Sequence, residues 1–171
     1  MIKLLTAIKI GISIIIILTT ISSCTLIPCG WDSDLDVLEE KPTNEFLIGK
    51  YKLDERTIKY IQKYENSQNA ELNIKADGTF EMRNIPKGTL DFIGYYDSMD
   101  INIDAIGEWK TSYDKGTAEL NVNVQFDSTK TNLTDFWTSW RIYEKGKKAV
   151  VFIMVGDPDE CAAARFERKT E

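Results

Sequence analysis

Few side chains in this chain of 171 residues are equipped for covalent or metal chemistry, so their positions carry the reading. There is no histidine. That removes imidazole acid–base work, the histidine-dependent serine and cysteine triads, and most zinc sites. Three cysteines stand at 24, 29 and 161. Cys24 ends the run Ile21-Ser22-Ser23-Cys24, an aliphatic residue and two small ones ahead of a thiol. Small residues there let the backbone enter a peptidase cleft. The thiol of Cys24 can then accept a diacylglycerol and become a new N-terminus. With Cys24 acylated, Cys29 and Cys161 remain as an even pair, which in an exported chain predicts one disulfide between them.

The remaining polar candidates read as structure. Asp157, Asp159 and Glu160 flank Pro158 and could offer hard oxygen ligands to Ca²⁺. Calcium takes about six to eight oxygens, and no glycine-centred Asp/Asn loop is present, so the stretch reads as a proline-fixed turn and no metal is expected. Asp104, Glu108 and Asp114 are the material of a glycosidase-like carboxylate pair, but nothing makes two of them converge. No Gly-x-Ser-x-Gly elbow, phosphate-cradling glycine loop or Cys-x-x-Cys occurs. No catalytic residue and no cofactor is therefore assigned, and the chain is not expected to be an enzyme. Asp97-Ser98-Met99 and Asp127-Ser128-Thr129 match three-residue O-glycosylation acceptors, and they read as plain loops. Trp109, Trp137, Trp140, Tyr95, Tyr96 and Tyr143 are a generous aromatic supply. They fit either a packed core or a rim that stacks an apolar ring or sugar. Tyr95, Tyr96 and Trp109 are the first candidates for lining an apolar mouth.

These residues need elements to position them. Lys3 and Lys9 precede the apolar run Ile10 to Thr20. That run is shorter than the about 20 residues of a spanning helix and suits a secretory signal, so residues 1–23 are expected to be removed. Two or three acyl chains on Cys24 give stable anchoring, at about 0.8 kcal/mol per buried CH₂. The removed segment holds two lysines and no acid, leaving 19 basic and 27 acidic residues and a net charge near −8. Such a chain repels phosphates, so nucleic acid is not an expected partner.

Residues 24–45 lack a period and contain Pro28, Gly30, Pro42 and Asp32-Ser33-Asp34-Leu35-Asp36, which predicts a solvated tether. One domain occupies 46–171. Leu47, Gly49, Tyr51 and Leu53 share one face of an extended run, and Asp54 is placed to cap a short helix through about Tyr64. Leu72, Ile74 and Ala76 alternate up to the Asp77-Gly78 turn, and Phe80 and Met82 resume beyond it. A strand starts at Ile106-Gly107-Glu108-Trp109. The clearest alternation is Ala118, Leu120, Val122, Val124 and Phe126 against Glu119, Asn121, Asn123 and Gln125. Trp137 to Tyr143, Val150 to Val155 and Ala162 to Arg168 complete about eight antiparallel strands. Hairpin connections of this kind favour a barrel or sandwich.

The order of motifs resembles the lipocalin-like bacterial lipoproteins. Gly49-Lys50-Tyr51-Lys52-Leu53 opens the first strand, Leu72 to Phe80 forms the first hairpin, Gly107-Glu108-Trp109 lies mid-sheet, and Gly156-Asp157-Pro158-Asp159 precedes the last strand. Tyr51 stands where lipocalins usually carry a tryptophan at the barrel base. The resemblance implies an all-β, lipocalin-like antiparallel barrel with one short helix, held on the cell envelope. Thr25 after Cys24 resembles the outer-membrane pattern of many diderm lipoproteins. The expected partners are the membrane, through the anchor, and either a small apolar or amphipathic ligand in the barrel mouth or an envelope protein met by a filled barrel. Inward-facing alanines 118, 149 and 164 would favour a cavity, and inward-facing Trp137 and Trp140 a filled core.

Overall fold

The computed structural model describes residues 30–64, 69–91, 99–156 and 161–170. Its elements are β1 (Asp36–Val37), α1 (Asn44–Leu47), β2 (Gly49–Leu53), α2 (Glu55–Ile61), β3 (Glu71–Ile74), β4 (Thr79–Pro86), β5 (Asn102–Asp114), β6 (Thr117–Gln125), β7 (Phe136–Lys145), β8 (Lys148–Val155) and β9 (Ala162–Arg168). Strands β2 to β9 form an antiparallel meander, each bonded to the next in sequence. β9 then pairs back onto β2, with Leu53 opposite Phe166 and Tyr51 opposite Arg168. The sheet is a closed eight-stranded barrel, the architecture expected from the alternating pattern.

Alternation sets the register. In β6, Ala118, Leu120, Val122 and Val124 are buried, and a one-residue slip would turn them all outward. Their polar partners Asn121 and Asn123 are half-buried rather than fully exposed. Asp54 caps α2 as predicted, its Oδ1 accepting from Thr57 N and Thr57 Oγ1, each at 2.8 Å. Gly78 takes a φ of +83° in the β3–β4 turn, the conformation that the Asp-Gly pair signals. Gly107 is required for another reason. A Cβ there would lie 1.9 Å from the Asn123 carbonyl oxygen, so the strands meet closely only because position 107 has no side chain.

The two ends of the barrel differ. Tight turns join β3 to β4, β5 to β6 and β7 to β8 at one end, which we call the hairpin end. The longer connections, including α2, all lie at the other end. β4 bends near that end, with a register shift between Met82 and Ile85 and Asn84 at a φ of +55°. Asp104 Oδ1 accepts from the Asn84 amide at 2.9 Å and so holds the bulge.

The chain before β2 departs from the solvated tether expected for 24–45. From residue 30 it lies against the barrel. Trp31, Tyr143, Val150, Phe152 and Ala163 form a second apolar cluster on the outer side of β7–β9, with Leu35, Tyr60 and Met154 packed on it. β1 pairs with β7, Asp36 opposite Glu144 and Val37 opposite Tyr143. The segment then crosses the hairpin end. Tyr113 Oη donates to the carbonyls of Leu38 and Glu39, and Leu47 is fully buried there. The physical reason lies in β8, whose Ala149 to Ile153 are buried on both faces. A strand so apolar must be covered outside as well as inside.

Candidate functional site

The barrel interior is the first place to look for a site. Its largest fully buried side chains include Trp140, Tyr51, Phe80, Phe166, Leu72 and Met82. Phe80 and Trp140 meet edge to face at 5.3 Å between centroids. Tyr51 is fully buried, its Oη donating to the Leu47 carbonyl, and burial pushes its phenol well above the usual range. Ala118, Ala149 and Ala164 do point inward, but large side chains from other strands share the same cluster. Trp140 therefore points inward, whereas Trp137 points outward at 73% exposure.

Trp109 is buried at the hairpin end, and its Nε1 donates to the carbonyls of Lys75 at 3.1 Å and Thr79 at 3.0 Å. Its indole thus locks the β3–β4 hairpin. Tyr95 and Tyr96 lie outside the described residues, in a connection that leaves β4 and enters β5 at the opposite end. Trp140 carries a different signal: among the described residues its buried Nε1 has no hydrogen-bond partner.

The second place is the outer side of β9. Arg165 is buried, and its guanidinium makes four close contacts with three partners. Its Nη1 lies 2.6 Å from both Asp34 Oδ1 and the Trp31 carbonyl, Nη2 lies 3.1 Å from Asp34 Oδ2, and Nε lies 2.7 Å from Asp54 Oδ2. The paired donors of a guanidinium suit a carboxylate held at two oxygens. Arg165 Nη1 and Nη2, with Lys145 at 2.8 Å, hold the Asp34 carboxyl well below the usual carboxylate range, against the opposing effect of burial. A cleft of about 730 Å³ opens beside this network, lined by both signs of charge, among them Lys52, Arg56, Lys59 and Glu167. The arrangement staples the N-terminal segment to β9 and α2. The sequence signal for it was an arginine inside the apolar run Ala162-Ala163-Ala164-Arg165-Phe166.

The third place is the outer face of β5, β6 and β7, where Ile106 and Trp137 are exposed. Glu108, Asn123 and Trp137 lie in one cross-strand row, and Lys110, Asn121 and Ser139 in the next. Asn121 Nδ2 donates to Ser112 Oγ at 2.8 Å, and Ser139 Oγ donates to Asn121 Oδ1 at 2.7 Å. Asp104 and Glu108 share this face but are four residues apart on one strand, about 13 Å, beyond the spacing at which two carboxylates act on one glycosidic bond. Among the described residues no three acidic or cysteine side chains gather into a metal-holding group. Asp157, Asp159 and Glu160 lie outside the described residues, as do Cys24 and Cys29.

No family model, curated protein or solved structure matches this chain. The fold and the three places above therefore stand on the chain's own residues. Sequence reading found the barrel and the outward Asn121 and Asn123. It missed the Arg165 staple and left Trp137 undecided between core and surface. The flanking signal for Trp137 was its place between Phe136 and Thr138, in a stretch whose alternation is weak until Trp140.

Proposed function

We propose that this chain is a lipid-anchored envelope barrel that works through its outer surface and not through a ligand held inside it. The observation that carries this reading is the interior itself: aromatic and aliphatic side chains from all eight strands occupy the barrel. Eight strands enclose a space that is either just filled by side chains or able to hold one small ligand, and the side chains of Trp140, Phe80, Tyr51 and Phe166 favour the filled case. Trp109 is committed to the β3–β4 hairpin. The open outer face, by contrast, keeps an indole in solvent.

The anchoring part rests on the Ile21-Ser22-Ser23-Cys24 motif and the apolar run before it. Trp31 Nε1 donates to the Cys161 carbonyl at 2.5 Å, which puts the start of the described chain beside the β8–β9 connection. That contact supports the proposed Cys29–Cys161 disulfide, since Cys29 is two residues before Trp31. A lipid on Cys24 would then sit within about 20 Å of residue 30 at full extension, and the long-connection end would face the membrane. Replacing Cys24 by Ala should release the protein or leave uncleaved precursor; a mature, membrane-bound product would overturn the anchor.

The filled barrel is tested by native mass spectrometry of protein taken from its own host, together with a fatty-acid probe. The expected result is the apo mass and no quenching of tryptophan fluorescence. A second reading, a small ligand with a hydrogen-bond acceptor inside the barrel, is favoured by the unpartnered Trp140 Nε1. A buried donor without a partner costs about 1–3 kcal/mol, which an acceptor at that spot would relieve. Retained extra mass, displaced by the probe, would establish that reading instead.

A further inference from the structure

The face of β5–β7 has a composition that fits one class of ligand. Trp137 is the most exposed large apolar side chain of the described residues, second in β7 and on the outer face, where an indole gains nothing from solvent. Beside it, across the strands, stands Asn123, and then Glu108. In the next row Ile106, itself 55% exposed, faces Gln125. The side chains of Asn123 and Gln125 have no hydrogen-bond partner among the described residues, although their neighbour Asn121 is held on both sides by Ser112 and Ser139. The centre of the face is thus two free amides between two apolar corners. Strand spacing puts those corners about 12 Å apart, the span of two to three sugar rings. The rim holds Lys110 and Glu108, one of each sign.

We propose that this face binds a neutral glycan chain, with Trp137 stacking on the C–H face of one sugar ring while Asn123, Gln125 and Glu108 bond to hydroxyl or acetamido groups of that ring and the next. The negative face of an indole attracts the polarised C–H groups of a pyranose. Free amides offer both a donor and an acceptor, which is what hydroxyl groups need. Charge argues for a neutral partner. The chain carries a net −6, so phosphorylated or sulfated polymers are repelled, yet the middle of this face is uncharged. A protein partner is disfavoured by the same amides, since a dry interface core would have to satisfy each of them. The proposal rests on the surface-acting reading given above and names its partner.

The test is affinity electrophoresis of the full mature domain in gels containing hydroxyethyl cellulose, glycol chitin or mannan, with dextran sulfate as the charged comparison. Wild-type protein should be retarded by at least one neutral polymer and not by dextran sulfate. Trp137→Ala should weaken that binding at least about tenfold, equivalent to about 1.4 kcal/mol. Trp137→Phe should restore part of it, and Asn123→Ala should fall between. Trp137 is exposed, so circular dichroism of the variants should match wild type. Free migration in all three neutral polymers overturns the glycan proposal, as does equal retardation of Trp137→Ala. Concentration-dependent dimers in ultracentrifugation that vanish in Trp137→Ala would assign the face to protein contact and overturn it too. In those cases the surface-acting reading still stands or falls separately, on whether the barrel carries a ligand mass.

Discussion

Arg165→Met is the perturbation that tests how the N-terminal segment is held. Methionine fills much the same volume on β9 but removes every donor that Arg165 supplies. Asp54 is 7% exposed and would keep its cap on Thr57 while losing the cation 2.7 Å from its other oxygen. Asp34 is half-exposed, retains Lys145 and can return to water, so its share of the loss is small. The Trp31 carbonyl also loses its donor. Breaking a buried pair by deleting one partner costs about 3–5 kcal/mol, mostly from the charge left behind. The solvent next to Asp34 argues for the lower half of that range. In a domain of this size a loss of about 3 kcal/mol lowers Tm by about 10 °C. Urea unfolding followed by tryptophan fluorescence should show a lower midpoint at unchanged slope. Hydrogen exchange should show residues 30–38 opening ahead of the barrel strands. Adding Asp54→Asn, which keeps a capping oxygen, should cost less than the two single changes summed, because it removes the stranded charge. Stability within about 0.5 kcal/mol of wild type, with unchanged protection of 30–38, would refute the staple.

Three further outcomes follow from the same geometry. Val122→Asp should destabilise by about 3 kcal/mol or more through an unpaired buried charge, whereas Asn121→Asp on the outer face should change little; equal midpoints in urea would contradict the register. Gly107→Ala should cost about 3 kcal/mol, the upper end of the overpacking range, because the added methyl meets backbone at Asn123 and the Phe80 ring; a thermal scan matching wild type would contradict the close approach. Asp34 has a folded pKa below its unfolded value of 3.8, so its contribution is complete above that pH and is lost as acid protonates it. Hydrogen exchange should therefore find residues 30–38 loosening between about pH 4 and lower values before the barrel does, and a flat profile there would remove Asp34 from the staple.

The barrel was legible because its information is local. Leu120, Val122 and Val124 alternate with amides, Asp77-Gly78 marks a turn, and Asp54 announces the start of α2; each feature is set by residues within a few positions. The N-terminal segment was not legible because its partners are distant. Nothing near Asp34 in sequence says that it meets Arg165, 131 positions away, and a two-residue strand such as β1 has no period to read. One clue was present in Ala149 to Val155, seven apolar residues without alternation, which require cover on both faces. The candidate site was legible only in part. Asn121 and Asn123 were placed outward, but the orientation of Trp137 follows from its pairing with Asn123, and pairing is a property of the folded sheet.

The ring of strands closes through β9, and so does the staple on the N-terminal segment. Both depend on residues 162–168, which are made after every other strand of the barrel. Until those residues emerge, β2 lacks one neighbour, β8 lacks another, and Asp34, Asp54 and Trp31 lack Arg165. The contacts that complete the structure thus join residues more than a hundred positions apart, and folding dominated by such separations is slow. A growing chain would remain an open sheet with two unpaired edges, able to pass extended through a narrow channel, and would become a rigid cylinder only when its last strand arrived.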